Sequence, residues 1–370
     1  MVHRIIRCCL LFTTLFLSGY SPSIYADHPA EIPYIIDTDI GGDIDDVLAL
    51  LLAIHSDSKP LAVTTSHIAP LEKAQIAKLV LSETGYGNIP VYAGEGVKYD
   101  APKEAFIRMN LLWPPFFGYP NPDPGEKKWY ENQSVAYRAS YGDLFEQSTV
   151  EKENAPEFIA ALAKKYSPDH PLTIVAIGPL HNIDKALQLD NSIKENIILY
   201  SMGGNYPKGY NWLIAPDVTA RVLSQVKTVC ISSAFIEKND FYITPQDFDD
   251  FDKMTTSQLG KTIVTDWKNW KSASKVSTKA TQLGDVVTLW VALHPDEFTG
   301  MSQEVSFPCL DANGMLKGEF AGCWYSMPGL EGKLITIHDS IDSHIQFVET
   351  VTSPLSIKAR LMDALSATTK

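Results

Sequence analysis

Apolar and polar positions along this chain follow two alternating rhythms. Short aliphatic and β-branched runs at residues 32–37, 61–66, 90–94, 172–178, 196–203 and 227–233 predict buried strands. Between several of them, apolar residues recur at three- and four-residue steps, and the spacing predicts helices over residues 46–55, 70–83, 155–166, 180–189 and 217–224. Strand and helix repeated in this way predict an α/β fold, a mostly parallel sheet with helices on both faces. In such sheets ligands gather at the carboxyl ends of the strands, where loops and helix N-termini converge.

Two regions break the rhythm. Residues 113–129 are too rich in proline for a helix or a central strand and read as a long surface excursion. Beyond residue 300, runs at 303–309, 315–320, 334–338 and 344–350 predict antiparallel additions near the C-terminus, closed by a helix over 354–365. No linker, repeat or low-complexity tract marks a second domain within residues 27–370.

Residues 1–26 combine Arg4 and Arg7, an apolar run over 8–18, and a small residue, Ala26, before Asp27, which is the layout of a cleaved secretory signal. A membrane anchor needs about 20 apolar residues, more than this run holds. The expectation is an exported protein, secreted or periplasmic, with no membrane partner after cleavage. Losing two arginines and no acid takes the formal net charge from −13 to −15. Such a surface repels nucleic-acid phosphates, so nucleic acid is not an expected partner, and it suits a cation site. Cys230, Cys309 and Cys323 would remain, enough for at most one disulfide and without metal-ligand spacing.

Chemistry concentrates in the loop Asp37-Thr38-Asp39-Ile40-Gly41-Gly42-Asp43-Ile44-Asp45-Asp46, which places five carboxylates within ten residues between a strand and a helix. Like charges this dense repel unless a cation or a proton lies among them. Oxygen donors without cysteine or histidine favour a hard ion, Ca²⁺ first and Mg²⁺ second. An EF-hand does not fit, because counting from Asp37 the twelfth position is Leu48 rather than glutamate. Plainer roles also exist: Asp45 or Asp46 as a helix N-cap, and Asp37 as a buried acid supporting the strand end. A haloacid-dehalogenase-like phosphatase also opens on Asp-x-Asp after a strand. That class ends on Gly-Asp with a further acid three or four residues on, whereas here Gly284-Asp285 runs into Val286-Val287-Thr288-Leu289.

Residues 35–52 resemble the inosine-uridine nucleoside hydrolase family, matching its Asp-x-Asp-x-Gly, Asp-Asp and Ala-Leu-rich helix with two extra residues in the spacer. Three further blocks agree in order: Gly178-Pro179-Leu180-His181-Asn182, then Met202-Gly203-Gly204-Asn205 with Tyr210-Asn211-Trp212 and Asp217, then Gly284-Asp285 at the head of a late helix. The resemblance implies a Rossmann-like fold and calcium-dependent hydrolysis of the N-glycosidic bond of a ribonucleoside or related N-riboside, giving ribose and free base. It implies Asp39, Asp46, the Ile177 carbonyl and Asp285 as metal ligands, with Asp39 also the general base. Asp43 or Asp45, Asn205 and Asn211 would contact the sugar, and a homo-dimer or homo-tetramer is the family's usual assembly. Two positions depart from the pattern. Asn211 stands at either the family's Glu or its Asn, depending on how the block is aligned. Gly284 replaces a His that helps to protonate purine leaving groups, which removes that route.

The departing base needs a donor or an aromatic sandwich. Trp113, Phe116, Phe117, Trp129, Trp267 and Trp270 are candidates for the sandwich, and His67 and His181 for the donor. Each also fits local packing. Gly284 and the Asn211 region motivate one further alternative, a secreted ribosyl-ligand binding protein that keeps the metal pocket without turnover.

Overall fold

The computed structural model describes residues 32–41, 43–94, 96, 134–203, 210–213, 215–274, 281–302, 305–306, 336–337, 345–351 and 354–368. Eight strands form the main sheet: β1 (Tyr34–Thr38), β2 (Ala62–Thr65), β3 (Val91–Ala93), β4 (Leu172–Ala176), β5 (Ile197–Met202), β6 (Lys227–Ile231), β7 (Phe298–Ser302) and β8 (Ile345–Val351). Their order is β3-β2-β1-β4-β5-β6-β8-β7, and every neighbouring pair is parallel except β8 with β7.

Residues on successive strand positions face opposite layers, as the two-residue period requires. Ile36, Val63, Val175, Tyr200 and Val229 pack with helices α1 (Asp45–His55), α2 (Pro70–Glu83), α8 (Gly284–Leu293) and α9 (Pro354–Thr368). Ile35, Ala62, Ile174, Leu199 and Cys230 pack with α4 (Ala155–Ala163), α5 (His181–Leu189) and α6 (Pro216–Leu223). Two further helices, α3 (Val135–Tyr141) and α7 (Gln258–Ser274), pack against each other. The helix α1 has no polar face. Its residues from Asp45 through Ile54 are all buried, because it is enclosed by the sheet, α8 and α9.

The expected fold class is the one observed, with one difference in its C-terminal part. The run at 344–350 forms β8, which extends the parallel sheet beside β6 rather than joining a separate antiparallel unit. Among the described residues there, antiparallel pairing joins β7 to β8 and Val305–Ser306 to Thr336–Ile337. Ile345 and Val348 are buried, so a strand with neighbours on both sides suits them better than an edge. The segment expected to be a secretory signal, the 113–129 stretch expected to be a surface excursion, the 315–320 run, Cys309 and Cys323 lie outside the described residues. Among the described residues no helix is long and apolar enough to cross a membrane.

From β1 the chain moves outward to β2 and β3, then returns to β4 on the other side of β1. The connections leaving β1 and β4 therefore diverge, opening a crevice at the carboxyl ends of these two strands. The acidic loop leaves β1 at that point.

Candidate active site

Asp37, next to last in β1, stands in register with Thr64 of β2 and Ala176 of β4. Its side chain is fully buried, and Oδ1 accepts hydrogen bonds from Thr64 Oγ1 at 2.6 Å and Asn182 Nδ2 at 2.7 Å. Oδ2 has no hydrogen-bond partner. Burial outweighs the two donors and pushes this carboxyl up to about 7. Main-chain bonds from Ile177 N to Asp37 O (2.8 Å) and from Ser66 N to Thr38 O (2.9 Å) tie the loops after β4 and β2 to the end of β1. A Cβ at Gly178 would lie 2.8 Å from Asp39 N, so only glycine allows the β4 loop this close to the acidic loop.

Beyond β1 the loop is held from inside. Thr38 Oγ1 donates to Asp46 Oδ1 and accepts from Ile40 N at 3.0 Å. Lys73, on the first turn of α2, donates to the carbonyls of Asp39 and of Ile40, the latter at 3.1 Å. Ile44 stands at the N-cap of α1 without a side-chain cap, so Asp45 and Asp46 occupy the first turn rather than capping it. Carboxylates are favoured there by the positive end of the helix dipole.

Asp43, Asp45 and Asp46 can each offer an oxygen such that all three atoms lie within 4.8 Å of one another. Asp45 is within hydrogen-bond reach of Asp43, and its Oδ2 accepts from the main-chain N of Asp285 at 3.2 Å. Asp285 lies 240 residues further along the chain, in the first turn of α8, so a second helix N-terminus faces the same cluster. Burial, opposed by Lys73 and reinforced by Asp43, pushes Asp39 up to about 6. Asp43 is raised mainly by burial, and Asp45, Asp46 and Asp285 are raised well above the carboxylate range by burial and then by neighbouring carboxylates: Asp43 and Asp46 for Asp45, Asp39 and Asp43 for Asp46, and Asp45, Asp46, Asp43 and Asp39 for Asp285. An arrangement of this kind holds either protons or a cation. The donors are all carboxylate oxygens, three of which can lie within 4.8 Å of one another, and the set fits a hard divalent ion.

The structure thus brings Asp39, Asp43, Asp45, Asp46 and Asp285 together. Ile177, at the end of β4, has its carbonyl engaged by Asn211 Nδ2 at 2.8 Å. A carbonyl has two lone pairs, so one remains for a second partner. Asn211 is itself buried and spends its amide on this main-chain contact. Asn205 lies outside the described residues, as do Trp113, Phe116, Phe117 and Trp129.

His67 is buried at φ +72° and stacks on His181 with ring centroids 5.9 Å apart. Burial, and then the charges of His181 and Lys73, hold His67 well below the usual imidazole range, so it is neutral at physiological pH. Trp267 stacks on Phe248 at 3.9 Å, donates to Thr281 Oγ1 at 2.9 Å and lies under Lys271 Nζ at 4.5 Å, so its ring is committed to local packing. Beside Gly284 the space a side chain would enter is filled by Met202, whose Cε lies 2.5 Å from an added Cβ.

Sequence reasoning assigned no role to Lys73, Asn182 or Thr64. For Lys73 a signal existed. It shares the buried stripe of α2 with Ile76, Ala77 and Val80, and a lysine on such a stripe has a charged partner below it.

The sequence profile of inosine-uridine preferring nucleoside hydrolases matches residues 34–339. Among solved structures, the chain is similar to a purine-preferring ribonucleoside hydrolase from Gardnerella vaginalis (TM-score 0.61, 19% identity, 91% of this chain and 99% of that one). It is also similar to a plant nucleoside hydrolase (TM-score 0.58, 18% identity, 90% and 99% covered) and to the inosine-uridine preferring nucleoside hydrolase of Bacillus anthracis (TM-score 0.56, 15% identity, 90% and 99% covered). No individually curated protein sequence matches it. The profile begins on β1, whose carboxyl end carries the acidic cluster, and the chain belongs to the inosine-uridine preferring nucleoside hydrolase family, hydrolases that act on N-glycosyl compounds.

Proposed function

We propose that this chain hydrolyses the N-glycosidic bond of a ribonucleoside or related N-riboside, releasing ribose and the free base, with Ca²⁺ as its cofactor. The observation that carries the reading is the meeting of Asp39, Asp43, Asp45 and Asp46 with Asp285, from a helix far along the chain, at the switch point of a parallel sheet. Asp39, Asp46, Asp285 and the free lone pair of the Ile177 carbonyl are the groups that would hold the ion. Bound there, Ca²⁺ would make a coordinated water more acidic and anchor the sugar beside it.

Asp39 is the general base. Its backbone is held by Lys73 at the carboxyl end of β1, which sets its carboxylate beside the other acids of the loop, where it would accept a proton from water. Asp45, buried and adjacent to Asp43, is the acceptor for a ribose hydroxyl, with Asp43 the alternative at the more open edge of the loop. As the bond to the base breaks, positive charge grows on the sugar ring, and the surrounding carboxylates favour that state over the neutral substrate. Gly284 and the Met202 side chain beside it give no proton to the base from the head of α8. Asn205 is the further proposed sugar contact, Asn211 acts instead through the Ile177 carbonyl that it holds, and residues 1–26 are proposed to export the protein.

The test is a panel of purine and pyrimidine ribonucleosides incubated with purified protein, with free ribose as the readout. Calcium-dependent ribose release is the expected result. A protein that binds ribosides but releases no ribose above a chelator-treated control would leave only the binding-protein reading.

A further inference from the structure

Lys73 is 1% exposed, and its ammonium group donates to the main-chain carbonyls of Asp39 and Ile40. Its charge is felt by Asp39, Asp46 and Asp43 in the acidic loop and by Asp266 on α7. Taking an ammonium ion out of water costs several kcal/mol unless it is well paired. A methionine would fill the same position on the apolar stripe beside Ile76, Ala77 and Val80, so packing alone does not account for a lysine. The two carbonyls it grips belong to Asp39 itself and to the next residue, which fixes the backbone from which the Asp39 side chain projects.

We propose that Lys73 is a built-in counter-charge of the acidic cluster and a positioning residue for Asp39: it holds the 39–40 turn closed in the cation-free protein, and its charge opposes the entering cation. This inference rests on the reading of the cluster as a cation site. It has a consequence that a merely structural lysine would not have. Removing the charge destabilises the cation-free protein and at the same time tightens cation binding, because one repulsive charge is gone.

The experiment compares the full chain with Lys73→Met, Lys73→Gln and Lys73→Arg. Calcium affinity is read by titration calorimetry, and thermal midpoints are measured with Ca²⁺ and with chelator. Turnover is measured on whichever nucleoside the unmodified chain hydrolyses. Lys73→Met should bind Ca²⁺ about tenfold more tightly, show a wider gap between its calcium-loaded and chelated midpoints, and lose roughly ten- to a hundredfold in kcat with little change in KM. Lys73→Gln keeps a donor for the two carbonyls, so it should share the tighter calcium binding with a smaller loss of kcat. Lys73→Arg keeps the charge and should stay near the unmodified chain in calcium affinity. If the unmodified chain binds Ca²⁺ but folded Lys73→Met and Lys73→Gln bind it no more tightly, the Lys73 proposal fails alone. If the unmodified chain shows no calcium binding, the cation reading and this proposal fail together. Should both neutral variants fail to fold even with Ca²⁺, Lys73 is a structural residue and the proposal is overturned.

Discussion

Asn211 donates its Nδ2 hydrogen to the carbonyl oxygen of Ile177 at 2.8 Å, joining the segment after β5 to the end of β4. Both residues are buried, so the carbonyl has no water to turn to. Asn211→Ala should therefore lower stability by about 1–3 kcal/mol, the cost of leaving a buried polar group unmet. It should also weaken calcium binding, since the carbonyl loses the contact that orients it. Asn211→Asp should be worse on both counts, because a carboxylate cannot donate to a carbonyl. Urea midpoints and calcium calorimetry on the two variants check this, and unchanged values for both would remove Asn211 from the site.

Asp39→Asn separates chemistry from folding. The variant keeps the size of the side chain and loses its basicity, so kcat should fall by roughly 10²–10⁴ while the fold persists. In the presence of chelator it should be at least as stable as the parent chain, because one of several repelling carboxylates has gone. Single-turnover assays beside thermal melts would show both effects, and a variant within threefold of parental kcat would exclude Asp39 as the base.

The cluster also sets a pH dependence. In the folded chain burial raises Asp39, Asp37 and Asp266 so that they bind protons up to about 6, 7 and 8, against about 4 for an aspartate in water. Between these limits the folded state holds more protons than the unfolded one, so unfolding free energy falls as pH rises from about 4 to about 8. Chelator-treated protein should follow that slope in urea titrations. Asp266→Asn should flatten its upper part, between about 7 and 8. Saturating Ca²⁺ should reduce the contribution of Asp39, because the ion replaces the proton as counter-charge. A flat profile in chelator would contradict the raised carboxyls.

Two glycine-to-alanine changes should differ sharply. At Gly94 an added Cβ would clash with Asn182 Oδ1, which is held through the bond of Asn182 to Asp37, and would lie 2.5 Å from the main-chain oxygen of Thr65, which accepts from Asn182 Nδ2 and Gly94 N. Gly94→Ala should cost about 1–3 kcal/mol and reduce turnover with it. At Gly284 the nearest obstacle is the flexible tip of Met202, which can rotate away. Gly284→Ala should cost less than about 1.5 kcal/mol. Paired denaturation curves test the ranking, and equal losses would show that Asn182 is free to move.

Much of the framework was legible before any coordinates. The six strands β1 to β6 and the helices α1, α2, α4, α5 and α6 between them fall on their apolar runs, because a two- or four-residue period is carried by neighbours in the chain, whereas α3 was not foreseen. The density of carboxylates at the end of β1 announced an acidic cluster in need of a balancing charge for the same reason: repulsion among adjacent acids is a local quantity. Trp267 shows the limit of such reading, since its spacing suited a substrate sandwich and its surroundings use the ring for packing.

Strand order and long-range convergence were decided only in three dimensions. A hydrophobic period says that a strand is buried but not which strand it pairs with, so nothing in the run at 344–350 predicted that β8 would lie parallel to β6. Asp285 meets Asp45 across 240 residues because α8 packs on α1, and Asn211 finds Ile177 through the neighbouring strands β4 and β5. The acidic loop by itself determined that charge would have to be balanced at the end of β1. The tertiary structure decided what meets it there, by burying the opposing charge of Lys73 under the loop and bringing a further carboxylate, Asp285, to the same cluster, and such contacts depend on the packing of whole helices rather than on any local pattern.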